Sequence, residues 1–510
     1  MAFGSMLCGV AGEQYVPERA DPPPFFLDLN LDQVVDAITL AKEEYDLRPI
    51  LYHQLSDVHT IHYRQAVMRD LENPCLLEHV RAFAEGMIVV RRYLQLVDKL
   101  RFAHHQHGWF LEAVLAYCEN VVSLVEALRR TDLRSRGFRE FREYLGGYAE
   151  GSYFRSLAEE ATRLKAALSS IRYTIGIKGF HVSVGKYNDE PDYSAEVEQT
   201  FAKFRQGAVK DYRSNLRAAS GMNHVEAQIL DCVAKLYPDI FSGLSSFDEY
   251  YRGRFVDGAI RTFDREIQFY VAYLEFIAPI KQAGLEFCYP EITTRKNIHS
   301  HQGFDIALAH KLVAENSTVV CNDFYLEGGE RVLVISGPNQ GGKTTFARAF
   351  GQLHYLATIG YPVPGSKARL FLHDRILTHF EREENIRNLR GKLQDDLVRI
   401  HRALEQSTPN SILIMNEIFS STTLQDAILL GKNVMSRIQE LDCFCVWVTF
   451  VDELASMSKT VSMVSTVNPE NPVLRTYKIL RRPADGLAYA LSIADRHHVT
   501  YEQILERVKP

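Results

Sequence analysis

The chain has 510 residues, of which 46% are hydrophobic and 24% charged, with a formal net charge of −6. This is a globular composition with length for roughly two to four domains, and its acidic balance excludes a uniformly basic nucleic-acid binder, so any contact with DNA has to use a local patch. No apolar run approaches the ~18 residues that span a bilayer, the start carries no basic leader, and the eight cysteines are scattered except for Cys443 and Cys445, which read as buried packing in a reduced, cytoplasmic setting.

Residues 1 to 27, with Asp21-Pro22-Pro23-Pro24 near their end, predict a disordered or extended tail. From Leu29 to about Ser170 the apolar residues recur at helical spacing: Leu31, Val34, Val35 and Ile38, then Ile88, Val89, Tyr93 and Leu96, then Leu111, Val114, Cys118, Val121 and Val125. Arg129, Arg130, Arg134, Arg136, Arg139 and Arg142 form a basic run. It reads as a solvated helix face partnered by Glu140 and Glu143 in preference to a phosphate-binding stripe. At 171–187 the period changes to two, with Tyr173, Ile175 and Ile177 before a Lys178-Gly179 turn and Phe180, Val182 and Val184 after it. That pattern predicts a β-hairpin inside a helical region. Lys178 and Lys186 near its ends would touch a phosphate backbone, or the hairpin is a short structural ribbon.

Helical spacing resumes from Ser194 to about Gly284, and a boundary falls near Tyr289. Residues 28–289 therefore read as one helical region and 290–510 as a second domain. Within the second, Ser317–Cys321 and Val332–Ile335 are strand-like, as are Leu370–Phe380, Ser411–Met415 and Val446–Thr449, while Arg382–Leu404 reads as a charged helix. Strands alternating with helices imply an α/β domain with a mainly parallel core sheet. The fold class is thus mixed: a mainly α-helical N-terminal region, then an α/β domain.

Gly337 to Thr344 fits G-x-x-x-x-G-K-[ST] between a strand and a helical pattern carrying Phe346, Ala349, Phe350 and Leu353. In that context the loop of Gly337, Pro338, Asn339, Gln340, Gly341 and Gly342 turns backbone N–H groups onto phosphate oxygens. Lys343 brings a charge to the β/γ phosphates, Thr344 a hydroxyl to Mg²⁺, and Thr345 completes the nucleotide-binding run. The helix N-terminus points at the same anion. Phosphoryl transfer also needs a positioned water. The strand ending at Asn416-Glu417 supplies it: Glu417 is the candidate base that orients and deprotonates water, and Asn416 a neutral second ligand for Mg²⁺.

Beyond the loop, the residues resemble one family. Gly337-Pro-Asn-Gln-Gly-Gly-Lys-Thr344 is similar to the G-P-N-x-G-G-K-[ST] loop of the MutS family of DNA mismatch-repair ATPases. Ile359-Gly-Tyr-Pro-Val-Pro-Gly365 resembles its I-G-x-x-V-P-A, and Asp374-Arg-Ile-Leu-Thr378 its D-R-I-F-T. Asn416-Glu417-Ile418, with Thr422, Thr423 and Asp426, resembles D-E-I-G-R-G-T-S-x-x-D; Thr449 to Leu454 resembles T-H-x-x-E-L; Leu487 to Ala494 resembles S-Y-G-L-x-V-A. Upstream, Leu55-Ser-Asp57, Ile61, Arg64-Gln-Ala-Val67 and Leu71 are similar to a motif of the family's helical core.

The resemblance implies an ATPase using ATP and Mg²⁺, a homodimer formed through ATPase domains, and helical core and lever arms that grip structured or non-specific duplex DNA in repair. It makes 171–187 a vestige of the family's clamp. About 27 residues precede the core, too few for the mismatch-reading domain, and the triplets Phe110-Leu-Glu112 and Phe138-Arg-Glu140 fall in predicted helices as packing. The usual mismatch-reading wedge is therefore not expected. Other departures bear on turnover. Gly391 stands where the family has a Ser that reaches the partner's γ-phosphate, with Arg390 or Lys392 as substitute cations. Phe450 replaces a His, and Val319 an adenine-stacking aromatic. These motivate an alternative, a weakly hydrolysing ATP-dependent switch that acts on a protein partner.

Overall fold

The computed structural model describes residues 3–9, 21–179, 181–190, 222–381, 391–468, 475–484, 500–501 and 504–505. Its helices are α1 (Leu31–Thr39), α2 (Arg48–Tyr52), α3 (Val58–Leu71), α4 (Pro74–Lys99), α5 (Ala103–Arg130), α6 (Arg136–Glu150) and α7 (Ser152–Ser169), then α8 (His224–Leu236), α9 (Pro238–Tyr251) and α10 (Gly258–Gln282). Between α7 and α8 stands the hairpin of β1 (Tyr173–Lys178) and β2 (His181–Lys186), paired from Tyr173 opposite Lys186 to Lys178 opposite His181. Its turn is where the sequence pattern puts it. No helix among the described residues is long and apolar enough to cross a membrane.

The described chain divides into two compact units. The first comprises Met1–Phe3, Asn73–Leu133 and Arg139–Asp264; the second comprises Gly4–Glu72, Arg134–Phe138 and Arg265–Pro510. The first unit is helical. Pro74 at the first turn of α4 and an Asn73 side chain accepting from Cys75 N (3.0 Å) start its long helix. Phe110 is fully buried, as a packing residue should be, and so is Phe138, which belongs to the second unit. In the basic run, Arg129 pairs with Glu150 and Arg130 with Glu126 on exposed surface. The run is split between α5, which ends at Arg130, and α6, which begins at Arg136. The hairpin's Val184 rests on a small core of Val233, Ala234 and Phe241 from α8 and α9, while Ile177 and Val182 stay exposed.

The second unit holds the remaining sheets. After β3 (Phe287–Cys288), β4 (Glu291–Thr293) and β5 (Ile298–Gly303) come α11 (Ile306–Ala314), β6 (Asn322–Leu326), β7 (Val332–Ser336) and α12 (Lys343–Thr358). Then follow β8 (Val363–Pro364), β9 (Lys367–Phe371), β10 (Ile376–His379), α13 (Lys392–Gln406), β11 (Ile412–Asn416), α14 (Leu424–Leu441), β12 (Phe444–Val448), β13 (Thr460–Val467) and β14 (Arg475–Arg481). The larger sheet runs β10-β11-β12-β7-β13-β14, parallel but for β14. Alternate residues serve its two faces. Leu413, Met415, Cys445 and Trp447 pack with Met435 and Ile438 of α14 and Ile400 of α13. On the other face Ile414 lies against Gly351 of α12, where a Cβ would stand 2.6 Å from Ile414 Cδ1. A parallel sheet covered on both faces accounts for the near-continuous apolar strands.

Two expectations need correction. Residues 4–9 and Phe25–Phe26, inside the predicted tail, are packed: Met6 and Leu7 are fully buried, and Ser5 Oγ (2.8 Å) and Met6 N (2.6 Å) both donate to Glu266. Burial of a few apolar side chains outweighs the loose composition around them. Ser317–Cys321 is irregular, and β6 starts at Asn322; Thr318, Val319 and Val320 line a cavity instead of pairing. A smaller sheet, β4-β9-β5-β6, was not legible in the mixed 290–330 stretch. The charged helix begins at Lys392, and 382–390 lie outside the described residues, as does Leu487–Ala494.

Burial pushes the Glu266 carboxyl up to about 7 against the hydrogen bonds from Ser5 and Met6 and the nearby Arg64. Between about 4.5 and about 7 the folded state keeps a proton that the unfolded state has lost. Its contribution is therefore fully present below about 4.5 and falls as pH rises through about 7, by up to about 3 kcal/mol. Urea denaturation at pH 5 and pH 8 should show a smaller pH difference for Glu266→Gln than for the wild type; equal differences would refute the assignment.

Candidate nucleotide-binding site

The site begins where β7 ends. All five residues of β7 are buried, and its position between β12 and β13 fixes where the next loop emerges. Gly337 (φ +109), Gln340 (φ 59) and Gly342 (φ +90) are left-handed, which costs glycine little and Gln340 strain. A second constraint comes from β13. A Cβ on Gly337 would stand 2.8 Å from the Ser465 carbonyl oxygen, and one on Gly341 would stand 2.2 Å from Ser465 Oγ. Ser465 Oγ donates to the Gly341 carbonyl at 2.7 Å. The loop is thus pinned against a strand that leaves no room for side chains, and α12 starts at once with Lys343.

Lys343 is 5% exposed. Its ammonium donates to the carbonyls of Gly337 (2.9 Å) and Pro338 (3.2 Å) and to Asn339 Oδ1 (3.1 Å). Glu417 Oε1 lies 3.9 Å away. Burial lowers the Lys343 pKa; Glu417 opposes that shift and Arg475 adds to it. Thr344 Oγ1 donates to Asn416 Oδ1 at 2.9 Å, which leaves oxygen lone pairs on both residues directed at one locality. Two neutral hard oxygens fit Mg²⁺, which keeps several waters and uses substrate phosphates as further ligands. Among the described residues no group of three or more His, Cys, Asp or Glu would hold a metal ion by itself. Glu417 turns out of β11 in a left-handed conformation (φ 51), its N–H donating to the Val448 carbonyl at 2.9 Å.

A cavity of about 450 Å³ opens on this loop. Its polar end is Gln340 to Thr345 with Glu417; its apolar end is Leu308 and Leu312 of α11 with Val319 and Val320. Tyr477 is the residue that sequence reasoning missed. It lines the cavity, is half exposed, and holds a left-handed φ of 57. Asn322 clamps it from both sides, donating to Tyr477 O (3.1 Å) and accepting from Ile479 N (2.7 Å). Nothing local in the sequence singled it out. The structure brings together Gly337 to Thr345, Asn416 and Glu417, with Val319 on the cavity wall. It does not bring Gly391, Lys392 or Phe450 to that wall. Lys392 pairs with Glu381, Gly391 precedes α13, and Phe450 is half exposed. Arg390 lies outside the described residues.

A family model described as MutS domain V matches residues 333–503, and one described as MutS2 N-terminal domain matches residues 56–188. These matches, with the relatives that follow, support a MutS-family protein of the mismatch-repair type. The DNA mismatch repair protein MutS of Thermotoga maritima is 24% identical over 452 residues, covering 84% of this chain and 53% of that protein. The MutS of Erythrobacter litoralis is 27% identical over 215 residues, 41% of this chain and 24% of that protein. That of Zymomonas mobilis is 28% identical over 179 residues, 34% of this chain and 21% of that protein. The chain spans about half the length of the first of these relatives. The domain V match takes in the loop, β11 with Asn416-Glu417, and both strands that supply Ser465 and Tyr477.

Gly341→Ala should displace Ser465 Oγ and cost about 1–3 kcal/mol in chemical denaturation. Adding Ser465→Ala should restore at least half of that loss. Additive destabilisation in the double variant would show that the two sites are not in conflict.

Proposed function

We propose that the chain binds ATP with Mg²⁺ on the Gly337–Thr345 loop and hydrolyses it, and that a homodimer formed through these domains couples nucleotide state to DNA grip by helical arms. The observation that carries the proposal is the convergence of Lys343, the Thr344–Asn416 pair and Glu417 at one end of the cavity. Loop amides and the N-terminus of α12 favour the phosphates. Lys343 exchanges its three loop oxygens for β/γ-phosphate oxygens. Glu417 holds the attacking water and takes its proton. Thr344 and Asn416 would hold Mg²⁺, which would supply positive charge to offset that building on the triphosphate. The base lies between Tyr477 and the apolar wall of Leu308, Leu312 and Val319.

Coupling to DNA rests on linkage: nucleotide shifts the arms only by its differential affinity for their two states. Lys178 and His181 on the exposed hairpin are available to phosphates. Structured or non-specific duplex DNA is the proposed substrate, in repair, and the eight free cysteines suit a reduced, cytoplasmic setting. The neutral Asn416 and the Lys392–Glu381 pair favour one second reading, a slow switch acting on a protein partner.

Phosphate release by the full chain should fall about 100-fold or more in Glu417→Gln, while Lys343→Ala should lose nucleotide and Tyr477→Ala should weaken its binding about tenfold. Equal release by wild type and Glu417→Gln would select the switch. Failure of wild type to retain adenine nucleotide with Mg²⁺ would remove both readings. DNA binding measured across a salt series with and without ATP tests the coupling, and no DNA binding at low salt in either condition would remove that part.

A further inference from the structure

The larger sheet ends at β10, and the pairing of β10 with β11 dictates which of its backbone groups are used. Ile412 N donates to the Arg375 carbonyl at 3.0 Å, and Ile376 lies opposite Ile412 in the parallel register. That geometry points the N–H and C=O of Leu377 at β11 and those of Ile376 and Thr378 away from it. Among the described residues no backbone hydrogen bond to those outward groups is formed by another element. A groove of about 730 Å³ follows this edge, bounded by β10 on one side and by α13 and Tyr52–Gln54 on the others. Arg399 and Arg402 reach it from successive positions on one face of α13, and Arg375 from the start of β10.

The charge in the groove is one-sided. Three arginines line it against one carboxylate, Asp374. That carboxylate is already engaged, accepting from Thr408 Oγ1 (2.6 Å) and Ser411 Oγ (2.9 Å). Arg399 Nη1 donates to the Phe380 carbonyl at 3.1 Å. Arg375 keeps about half of its side chain exposed, with Asp374 no nearer than 3.9 Å. An open edge beside a cationic wall is a template for strand addition by an acidic chain.

We propose that the β10 edge docks an extended acidic segment of a partner protein as an added strand. The outward groups of Ile376 and Thr378 supply main-chain hydrogen bonds and register. Arg375, Arg399 and Arg402 select Asp or Glu side chains at alternate positions. Four strand residues offer about 13 Å of pairing length, which suits a short peptide segment. A nucleic-acid duplex satisfies the arginines but offers no strand to the backbone groups.

The test titrates the full chain with a fluorescein-labelled eight-residue peptide, Val-Glu-Thr-Glu repeated twice, and with the same peptide N-methylated at alternate amides. Saturable binding by the first is expected. It should weaken at least about tenfold on N-methylation and in the Arg375→Glu/Arg402→Glu double variant, whose surface changes leave the melting temperature in place. Amide exchange at Ile376 and Thr378 should slow on binding. Equal binding by the double variant, or by the N-methylated peptide, would overturn the proposal. So would duplex DNA binding that is lost in the double variant while the peptide does not bind, which would assign the groove to nucleic acid. A change of oligomeric state in the double variant without peptide binding would assign it to a second copy and overturn the proposal as well.

Discussion

The close approach of β13 to the Gly337–Gly342 loop sets the rest of the site. Ser465 presents its carbonyl to Gly337 and its hydroxyl to Gly341, at distances that no side chain on either glycine would tolerate. Because β13 is paired with β7 from Thr460 opposite Val332 onward, the strand that feeds the loop and the strand that restrains it move as one. The loop therefore owes its shape to the sheet as well as to its own sequence. Lys343 then has a fixed set of oxygens to meet, and a buried ammonium needs them: without partners its desolvation would cost several kcal/mol.

The helix that leaves the loop is equally fixed at its other end. Arg64, fully buried, donates to the carbonyls of Leu7 (3.0 Å) and Ile359 (3.1 Å) and lies over the Phe269 ring. Gly360 (φ +89) has no room for a Cβ, which would stand 2.6 Å from Arg64 Cβ. Tyr361 and Tyr273 stack at 3.9 Å and donate to the carbonyls of Phe269 (2.6 Å) and Pro362 (2.7 Å). So α12, 16 residues long, carries the candidate phosphate contacts at one end and a dense polar and aromatic anchor at the other. A displacement at Lys343 would have a stiff element along which to act.

The sequence made some of this plain because some signals are local. A Gly-rich loop between an apolar strand and an amphipathic helix is such a signal, and so is the period-two pattern around Lys178-Gly179. Asn416 and Glu417 were legible because a buried strand has to end in the residues that its sheet presents at the cavity. Tyr477 was not legible, since its place depends on Asn322, 155 residues away in sequence, and on a left-handed backbone that nothing nearby demands. Val319 and Val320 looked like a strand because apolar character is the same in a strand and in a cavity wall. Met6 looked like part of a tail because its partners, Glu266 and Tyr270, lie some 260 residues on, and Leu7 because its partner Arg64 lies 57 residues on.

A crystal structure of the full chain with Mg²⁺ and a non-hydrolysable ATP analogue tests the central claim most directly. The expected result has Lys343 Nζ transferred from the oxygens of Gly337, Pro338 and Asn339 to the β/γ phosphates, with Tyr477 against the base. A nucleotide bound elsewhere, or Lys343 still on its loop oxygens beside a bound triphosphate, would contradict it.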